Sequence, residues 1–348
     1  MPMDGSGRYI LVMTRTADAL LAGILLAALT GCVPAADAAP PTSEPPSPTA
    51  TAAPEPTIVA KPALAFNGSC DALIDSATLS GLVGDEMDPY DGEKAERVWA
   101  VAVLGGLDCS WQSGAEAYVQ LDVLPAAGLE AQVADADANT PYCYGGEPLE
   151  SRCSFSTVVG GYWLSGIVGV ANGSANTALD AIDDITARIG DAAAANPPVP
   201  VERPEGMWTE PTDCATFGSA VDTTAILGEA FTVEAGSRGG ETTPGFIAAW
   251  ATVGDVPCTW ATTEYARWFE SELLPGAGWA IAELATRDGA EAVVVDGALE
   301  AVAVPQASDT TAVYGTDGVN LAWVRVPADI DRAAATALLA SVMAAASR

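Results

Sequence analysis

Carboxylates are the side chains that could carry chemistry in this sequence, because it has no imidazole. The 348 residues include 46 Asp and Glu, 14 Lys and Arg and no His. This composition excludes Ser-His-Asp and Cys-His nucleophilic sites, HExxH zinc sites and haem held by His. The sequence also has no Gly-x-Ser-x-Gly elbow, Walker loop or dinucleotide fingerprint. Acid-pair chemistry of the glycosidase kind is the catalytic class left open.

Two acidic clusters have spacings that calcium-binding loops also show. Five carboxylates fall within residues 85–93, and Asp135, Asp137 and Asn139 place oxygen atoms at alternate positions. A calcium loop of this kind also needs a glycine at its turn and a bidentate glutamate at its end. Neither cluster has both, so we expect solvated surface charge and no metal site. Three further acids are expected on the polar face of a packed helix: Asp180, Asp183 and Asp184.

An export signal occupies residues 1–31. Arg8 and Arg15 precede an apolar run, residues 19–29, that is too short for the ~20 residues needed to span a bilayer. The run ends in Leu29-Thr30-Gly31-Cys32, which resembles a bacterial lipobox. Cys32 is therefore expected to carry a diacylglyceryl group that anchors the chain to the extracytoplasmic face of the membrane. An ordinary secretory signal with an incidental cysteine is the alternative, and translation from Met13 is a second possible start.

Composition divides the rest of the chain into two domains and two connecting segments. Residues 32–64 are rich in Pro, Ala and Thr, which predicts a disordered, extended tether. A second Pro-rich stretch, residues 196–206, predicts a linker between domains at 65–195 and 207–348. The net charge of −32 argues against any nucleic-acid partner.

The two domains look like tandem copies of one unit. Cys70 and Cys214 each lie 14 residues before a glycine, Gly84 and Gly228. A Cys-x-Trp motif and then a Leu-Pro-x-x-Gly motif follow in both halves, at Cys109 and Leu124 and at Cys258 and Leu274. Four landmarks in one order predict an internal repeat.

Periodicity predicts an α+β unit in each copy: an opening helix, an antiparallel sheet and a closing helix. Helices are expected from each first cysteine to its glycine, and at residues 178–189 and 330–345. Strands are expected at residues 98–104, 109–112 and 118–123 of the first copy. Those of the second copy are expected at residues 247–253, 258–262, 268–274, 292–295, 299–304 and 319–326.

Repeat symmetry also predicts how six of the seven cysteines pair. Cys70 with Cys109 and Cys214 with Cys258 would join the opening helix to the sheet in each copy. Cys143 and Cys153 remain as a pair unique to the first copy. Trp111 and Trp260, two residues after a bridged cysteine, are then expected to pack in the core and not to stack on a ligand.

The pattern of Cys, helix, Leu-x-Gly or Ile-Leu-Gly, and Cys-x-Trp resembles a group of uncharacterised actinobacterial cell-envelope lipoproteins. Cys70, Gly84, Cys109 and Trp111 carry the resemblance in the first half, and their counterparts carry it in the second. It implies small α+β domains and supplies no catalytic residue. The group's usual Asp-Pro-Cys opening is replaced here by Gly68-Ser69-Cys70 and Thr212-Asp213-Cys214.

These observations predict a lipid-anchored extracytoplasmic protein with no catalysis and no cofactor. Its expected partners are the membrane, through the lipid on Cys32, and an envelope protein or a small ligand. A carboxylate-based wall-glycan hydrolase is one alternative, and a solute- or ion-binding component is another.

Overall fold

A computed structural model describes residues 57–90, 99–114, 117–145, 151–171, 173–210, 213–236, 242–306 and 309–347. Residues 54–348 form one compact unit. The expected signal peptide, Cys32 and most of the tether lie outside the described residues. No described helix is long and apolar enough to cross a bilayer.

The described residues form ten α-helices and thirteen strands. The helices are α1 Cys70–Leu73, α2 Ser76–Val83, α3 Trp99–Val103, α4 Glu130–Asn139, α5 Ala175–Ala195, α6 Cys214–Gly218, α7 Thr223–Leu227, α8 Pro244–Val253, α9 Ala280–Leu284 and α10 Arg332–Ala346. The strands are β1 Asp88–Pro89, β2 Leu107–Gln112, β3 Tyr118–Pro125, β4 Tyr142–Tyr144, β5 Ser151–Val159, β6 Tyr162–Val170, β7 Thr232–Ala235, β8 Val256–Ala261, β9 Trp268–Leu274, β10 Glu291–Ala292, β11 Glu300–Gln306, β12 Thr310–Thr316 and β13 Leu321–Pro327.

Two antiparallel sheets organise the molecule, which confirms the α+β class. Within the described chain, sheet 1 has six strands in the order β1-β2-β3-β6-β5-β4. Sheet 2 has seven, in the order β10-β11-β12-β13-β9-β8-β7. Every strand pair in both sheets is antiparallel.

One face of each sheet is covered by helices from the same half of the chain. In sheet 1, Val119, Leu121 and Val123 alternate along β3 and join a core that α5 closes through Ile185 and Ile189. In sheet 2, α6, α7 and α10 form the corresponding layer. Alternation places apolar side chains of one strand on one face, so these helices can bury them together.

A third core lies between the sheets and draws on both halves. Trp99 of α3, from the first half, makes an edge contact with Tyr314 of β12, with ring centroids 6.0 Å apart. Helix α8 belongs to the second half but packs on β3 and β6 of sheet 1. The two predicted domains are therefore not separate folding units on either side of a linker, because this central core contains residues of both halves.

Two predicted strands are helices in the structure. Residues 98–104 correspond to α3 and residues 247–253 to α8. A short run that is apolar on every side does not distinguish a buried strand from a buried helix. The signals that decide α8 are the N-cap Thr243, the first-turn Pro244 and the left-handed Gly254 after its end.

The opening helix of each half is also divided in two. In the first half, Ile74 is extended and Asp75 starts a second helix by accepting the backbone N–H of Thr78. Asp222 does the same for α7. The sequence predicted one helix because both pieces have apolar residues at compatible spacing.

A candidate binding cleft between the halves

The cysteine pairs are structural elements of the two outer cores. The structure contains Cys70–Cys109, Cys143–Cys153 and Cys214–Cys258, the same pairs that repeat symmetry predicts. Trp111 is fully buried beside the first bridge. Trp260 is buried in the second half, where it stacks on Phe269 and donates its indole N–H to Ser271 at 2.8 Å. Both tryptophans are core residues.

The acidic clusters do not converge. Asp85 to Tyr90 lie in a mostly exposed segment before β2, and residues 91–93 of that cluster lie outside the described residues. Asp135 and Asp137 are exposed on α4, which is a helix and not a loop. Asp180, Asp183 and Asp184 are exposed on α5. Over the described ranges, no three acids or cysteines are grouped in a way that could hold a metal ion.

Among the described carboxylates, two lie inside the molecule. Asp122 on β3 is fully buried, and Glu272 on β9 is 3% exposed. Asp122 accepts a hydrogen bond from the hydroxyl of Thr243, the N-cap of α8. One residue into α8, the backbone N–H of Gly245 donates to Ser165 Oγ at 2.8 Å. Asp122 thus joins a helix of the second half to a sheet of the first, which is a structural role.

The cleft lies where the halves meet and has two adjoining chambers. The larger chamber has a volume of about 360 Å³. The smaller chamber has a volume of about 210 Å³. Both are bordered by Val103, Pro200 and Val201. Larger-chamber walls also include Val59, Pro62, Ala63, Pro204 and Gly276, and smaller-chamber walls include Leu104, Pro125 and Leu129.

The end of the predicted tether forms one wall of the larger chamber. Residues 57–64 are ordered on the molecule, which corrects the prediction that disorder extends to residue 64. Val59 donates its backbone N–H to Gly318 O at 2.8 Å. Lys61 pairs with Glu283 at 2.6 Å, and its ammonium lies 4.7 Å from the centre of the Trp279 ring. We call residues 57–64 the arm.

The predicted linker forms the opposite wall and is held at both ends. Asn196 donates its side-chain amide to Ala192 O at 3.0 Å. At the far end, the buried Asn320 donates to Gly206 O at 2.9 Å and accepts the Trp208 N–H at 3.0 Å. The Asn196 bond closes the end of α5, and the two Asn320 bonds attach the far end of the linker to the second half, so it is not a free spacer between domains.

Gly105 lets the linker approach the floor of the cleft. Its φ is +70°, and a Cβ atom there would lie 2.4 Å from Val201 Cγ2. A left-handed conformation and a contact this close both require glycine. Gly105 also accepts the N–H of Ala65 at 2.8 Å, which fixes the end of the arm.

Of the residues that the structure describes, three with polar side chains border the cleft. Exposed Glu202 lies at the larger chamber, and exposed Arg203 lies at the smaller one. Within the described part of the chain neither makes an ion pair or a side-chain hydrogen bond. Thr252 of α8 also lines the smaller chamber, and its hydroxyl is buried with no hydrogen-bond partner there. Buried polar atoms without partners are uncommon and call for an explanation.

Sequence reasoning missed these three residues. Glu202 and Arg203 lie in a stretch whose prolines predict a spacer, and Thr252 lies in a run that predicts a strand. A cleft assembled from an arm, a linker and two distant helices leaves no local pattern in the sequence. No family model, curated protein or solved structure matches this chain.

Proposed function

We propose that this protein is a lipid-anchored extracytoplasmic binding protein, and that its ligand occupies the cleft between the halves without being chemically changed. The observation that carries the proposal is the cleft itself. Its larger chamber falls in the usual 300 to 1,000 Å³ range of ligand sites, and its walls are mostly apolar. A small ligand with a largely apolar body fits such a surface.

The chemistry of the lining favours binding over catalysis. The described lining residues offer one carboxylate, one guanidinium and one hydroxyl that could act on a ligand. A wall-glycan hydrolase needs two carboxyl groups on either side of the scissile bond. Asp122 lies in the core and is hydrogen-bonded to Thr243, so it does not supply the second acid.

The relation between the halves is part of the proposal. We propose that they are two copies of one unit, as the cysteine and Cys-x-Trp landmarks predict. The order β1-β2-β3-β6-β5-β4 in sheet 1 parallels the order β7-β8-β9-β13-β12-β11 in sheet 2. Membership of the actinobacterial lipoprotein group and attachment through Cys32 remain predictions from the sequence.

A neutral fluorescent probe tests the cleft. N-phenyl-1-naphthylamine emits strongly in apolar surroundings and carries no charge that the −32 chain would repel or attract. We expect saturable binding to the exported chain carrying Cys32→Ser, which needs no detergent. Ala63→Phe places a ring from the exposed arm into the larger chamber, so it should weaken binding by about tenfold or more.

Ala187→Phe is the matched control, because Ala187 is exposed on α5 and does not line the cleft. Binding of the probe by this variant should equal that of the parent chain. Equal loss in both variants, or no saturable binding by the parent, would refute the proposed site.

A further inference from the structure

We propose that the ligand is a short zwitterionic peptide with apolar side chains, its ammonium group at Glu202 and its carboxylate at Arg203. This inference rests on the proposed function and names the ligand class for the same cleft. The two residues are consecutive in the linker, and each borders a different chamber. A ligand that spans both chambers therefore meets one negative and one positive side chain.

Among the described arginines, Arg203 has no ion-pair partner, as is also true of Arg188 and Arg287. Acids outnumber basic residues 46 to 14, so a guanidinium has many possible partners. Arg267 pairs with both Glu229 and Asp329, Arg325 pairs with Glu270, and Arg332 pairs with Glu291. Arg203 makes no ion pair in the described part of the chain, although Glu202 is its neighbour. Its guanidinium is free for a carboxylate, which it can hold through two parallel hydrogen bonds.

Thr252 supplies an independent observation at the same chamber. Its hydroxyl is buried without a partner, and it lines the chamber that Arg203 borders. A hydroxyl donates readily to a carboxylate oxygen, so a ligand carboxylate there would satisfy it. On the other side, Glu202 can accept hydrogen bonds from an ammonium group.

The apolar surface between the two charged residues indicates that the central part of the ligand is apolar. Val103, Pro200 and Val201 border both chambers, so they lie between the two ends. Aliphatic side chains of a peptide would bury against them. A purely anionic amphiphile is disfavoured, because Glu202 and the net charge of −32 both repel it.

A blocked-peptide series tests the inference. The dipeptide Val-Leu is compared with its N-acetylated, C-amidated and doubly blocked forms as competitors of N-phenyl-1-naphthylamine on the chain carrying Cys32→Ser. We expect the free dipeptide to bind most tightly and each blocking group to weaken its affinity by about fivefold. This is the upper end of the effect of one exposed ion pair.

Single substitutions assign each charge to its residue. In Glu202→Gln, the free and N-acetylated peptides should bind with equal affinity, while amidation should still weaken binding. In Arg203→Gln, the free and amidated peptides should bind with equal affinity, while N-acetylation should still weaken binding. Thr252→Val, which keeps the side-chain shape, should weaken the binding of only those peptides that have a free carboxylate. Glu205→Gln and Arg188→Gln change the net charge as Glu202→Gln and Arg203→Gln do, respectively, at exposed positions outside the lining, and should alter neither comparison.

The outcomes separate this inference from the proposed function. If the probe binds but the doubly blocked peptide competes as well as the free one, or no peptide competes, the zwitterion assignment is wrong and the cleft proposal stands. Block effects that survive both Glu202→Gln and Arg203→Gln would also overturn it. If the probe does not bind, or Ala63→Phe does not affect it, the proposed function itself fails.

Discussion

Two aspartates that begin helices show how single residues set the pH response of the fold. Asp75 caps α2 and accepts the backbone N–H of Thr78 at 2.8 Å. Asp213 caps α6 and accepts the backbone N–H of Thr216 at 2.7 Å. The backbone hydrogen bonds from Thr78 and Thr216 lower the pKa of these carboxyls below the ordinary value of 3.8. A carboxyl with a lowered pKa stabilises the fold above its unfolded-state pKa, and this contribution is lost as pH falls through the folded-state value.

Asp75→Asn and Asp213→Asn should therefore lower the Tm slightly at pH 7. Asparagine is also a good N-cap, so the difference isolates the charge. The gap to the parent chain should close as the pH falls below about 4. Thermal unfolding followed by circular dichroism from pH 7 to pH 2.5 measures this. A gap that stays constant across the range would contradict the account.

Individual residues were the easiest part of the structure to predict. The cysteine pairs and the buried Trp111 and Trp260 follow from spacing, because a bridge fixes which strand residues face the core. The candidate site was not predictable in this way. Glu202, Arg203 and Thr252 are distant from the arm in sequence, and only tertiary packing brings their segments together.

At the scale of elements, α8 holds the two halves together. Its N-cap Thr243 accepts the N–H of Phe246 at 3.2 Å and donates to the buried Asp122 of β3. Gly245 lies so close to sheet 1 that a Cβ there would be 3.0 Å from that of Ser165. The helix start is thus fixed to a strand that belongs to the other half.

Thr243→Val should destabilise the protein by about 2 to 4 kcal/mol, because it removes an N-cap and leaves Asp122 buried without this donor. Thr243→Ser keeps the hydroxyl and should cost less than about 1 kcal/mol. Denaturant unfolding of both variants gives the comparison. A loss in Thr243→Ser as large as that in Thr243→Val would contradict the assignment of this stabilisation to the hydroxyl hydrogen bonds.

The sheets and closing helices could be predicted at this scale, and α3 and α8 could not. Strands such as β3 alternate in polarity and the closing helices have a repeating apolar face. Helix α3 is apolar and buried on all sides, whereas α8 is apolar all round although its Ile247 is 51% exposed. Whether these segments form helices or strands depends on packing between the halves, so the spacing of their apolar residues could not distinguish the two structures.

At the scale of the whole molecule, the shared central core predicts that residues 57–347 unfold as one unit. Trp99→Ala removes a side chain that is 2% exposed at the centre of this core and should cost about 3 to 5 kcal/mol. Calorimetry should show one transition for the parent chain, moved to lower temperature in the variant. Two transitions in the parent chain, with only one affected by Trp99→Ala, would show that the two halves unfold independently.

Anchoring is a second property of the whole molecule. If Cys32 carries the lipid, Cys32→Ser should release the protein into the medium or leave an unprocessed precursor. Cell fractionation and mass spectrometry of the N-terminal peptide distinguish these products from the anchored form. A fully processed Cys32→Ser protein in the membrane fraction at the parent level would show that the lipobox prediction is wrong.

The proposed function requires that a ligand binds between the halves, against the arm and the linker. Hydrogen–deuterium exchange with and without saturating N-phenyl-1-naphthylamine tests it most directly, because exchange reports where amides become protected. We expect slower exchange in three segments that border the cleft: residues 59–63, 103–105 and 201–203. Protection confined to other regions, such as the sheet edges at β4 and β10, with none in these three segments, would contradict it.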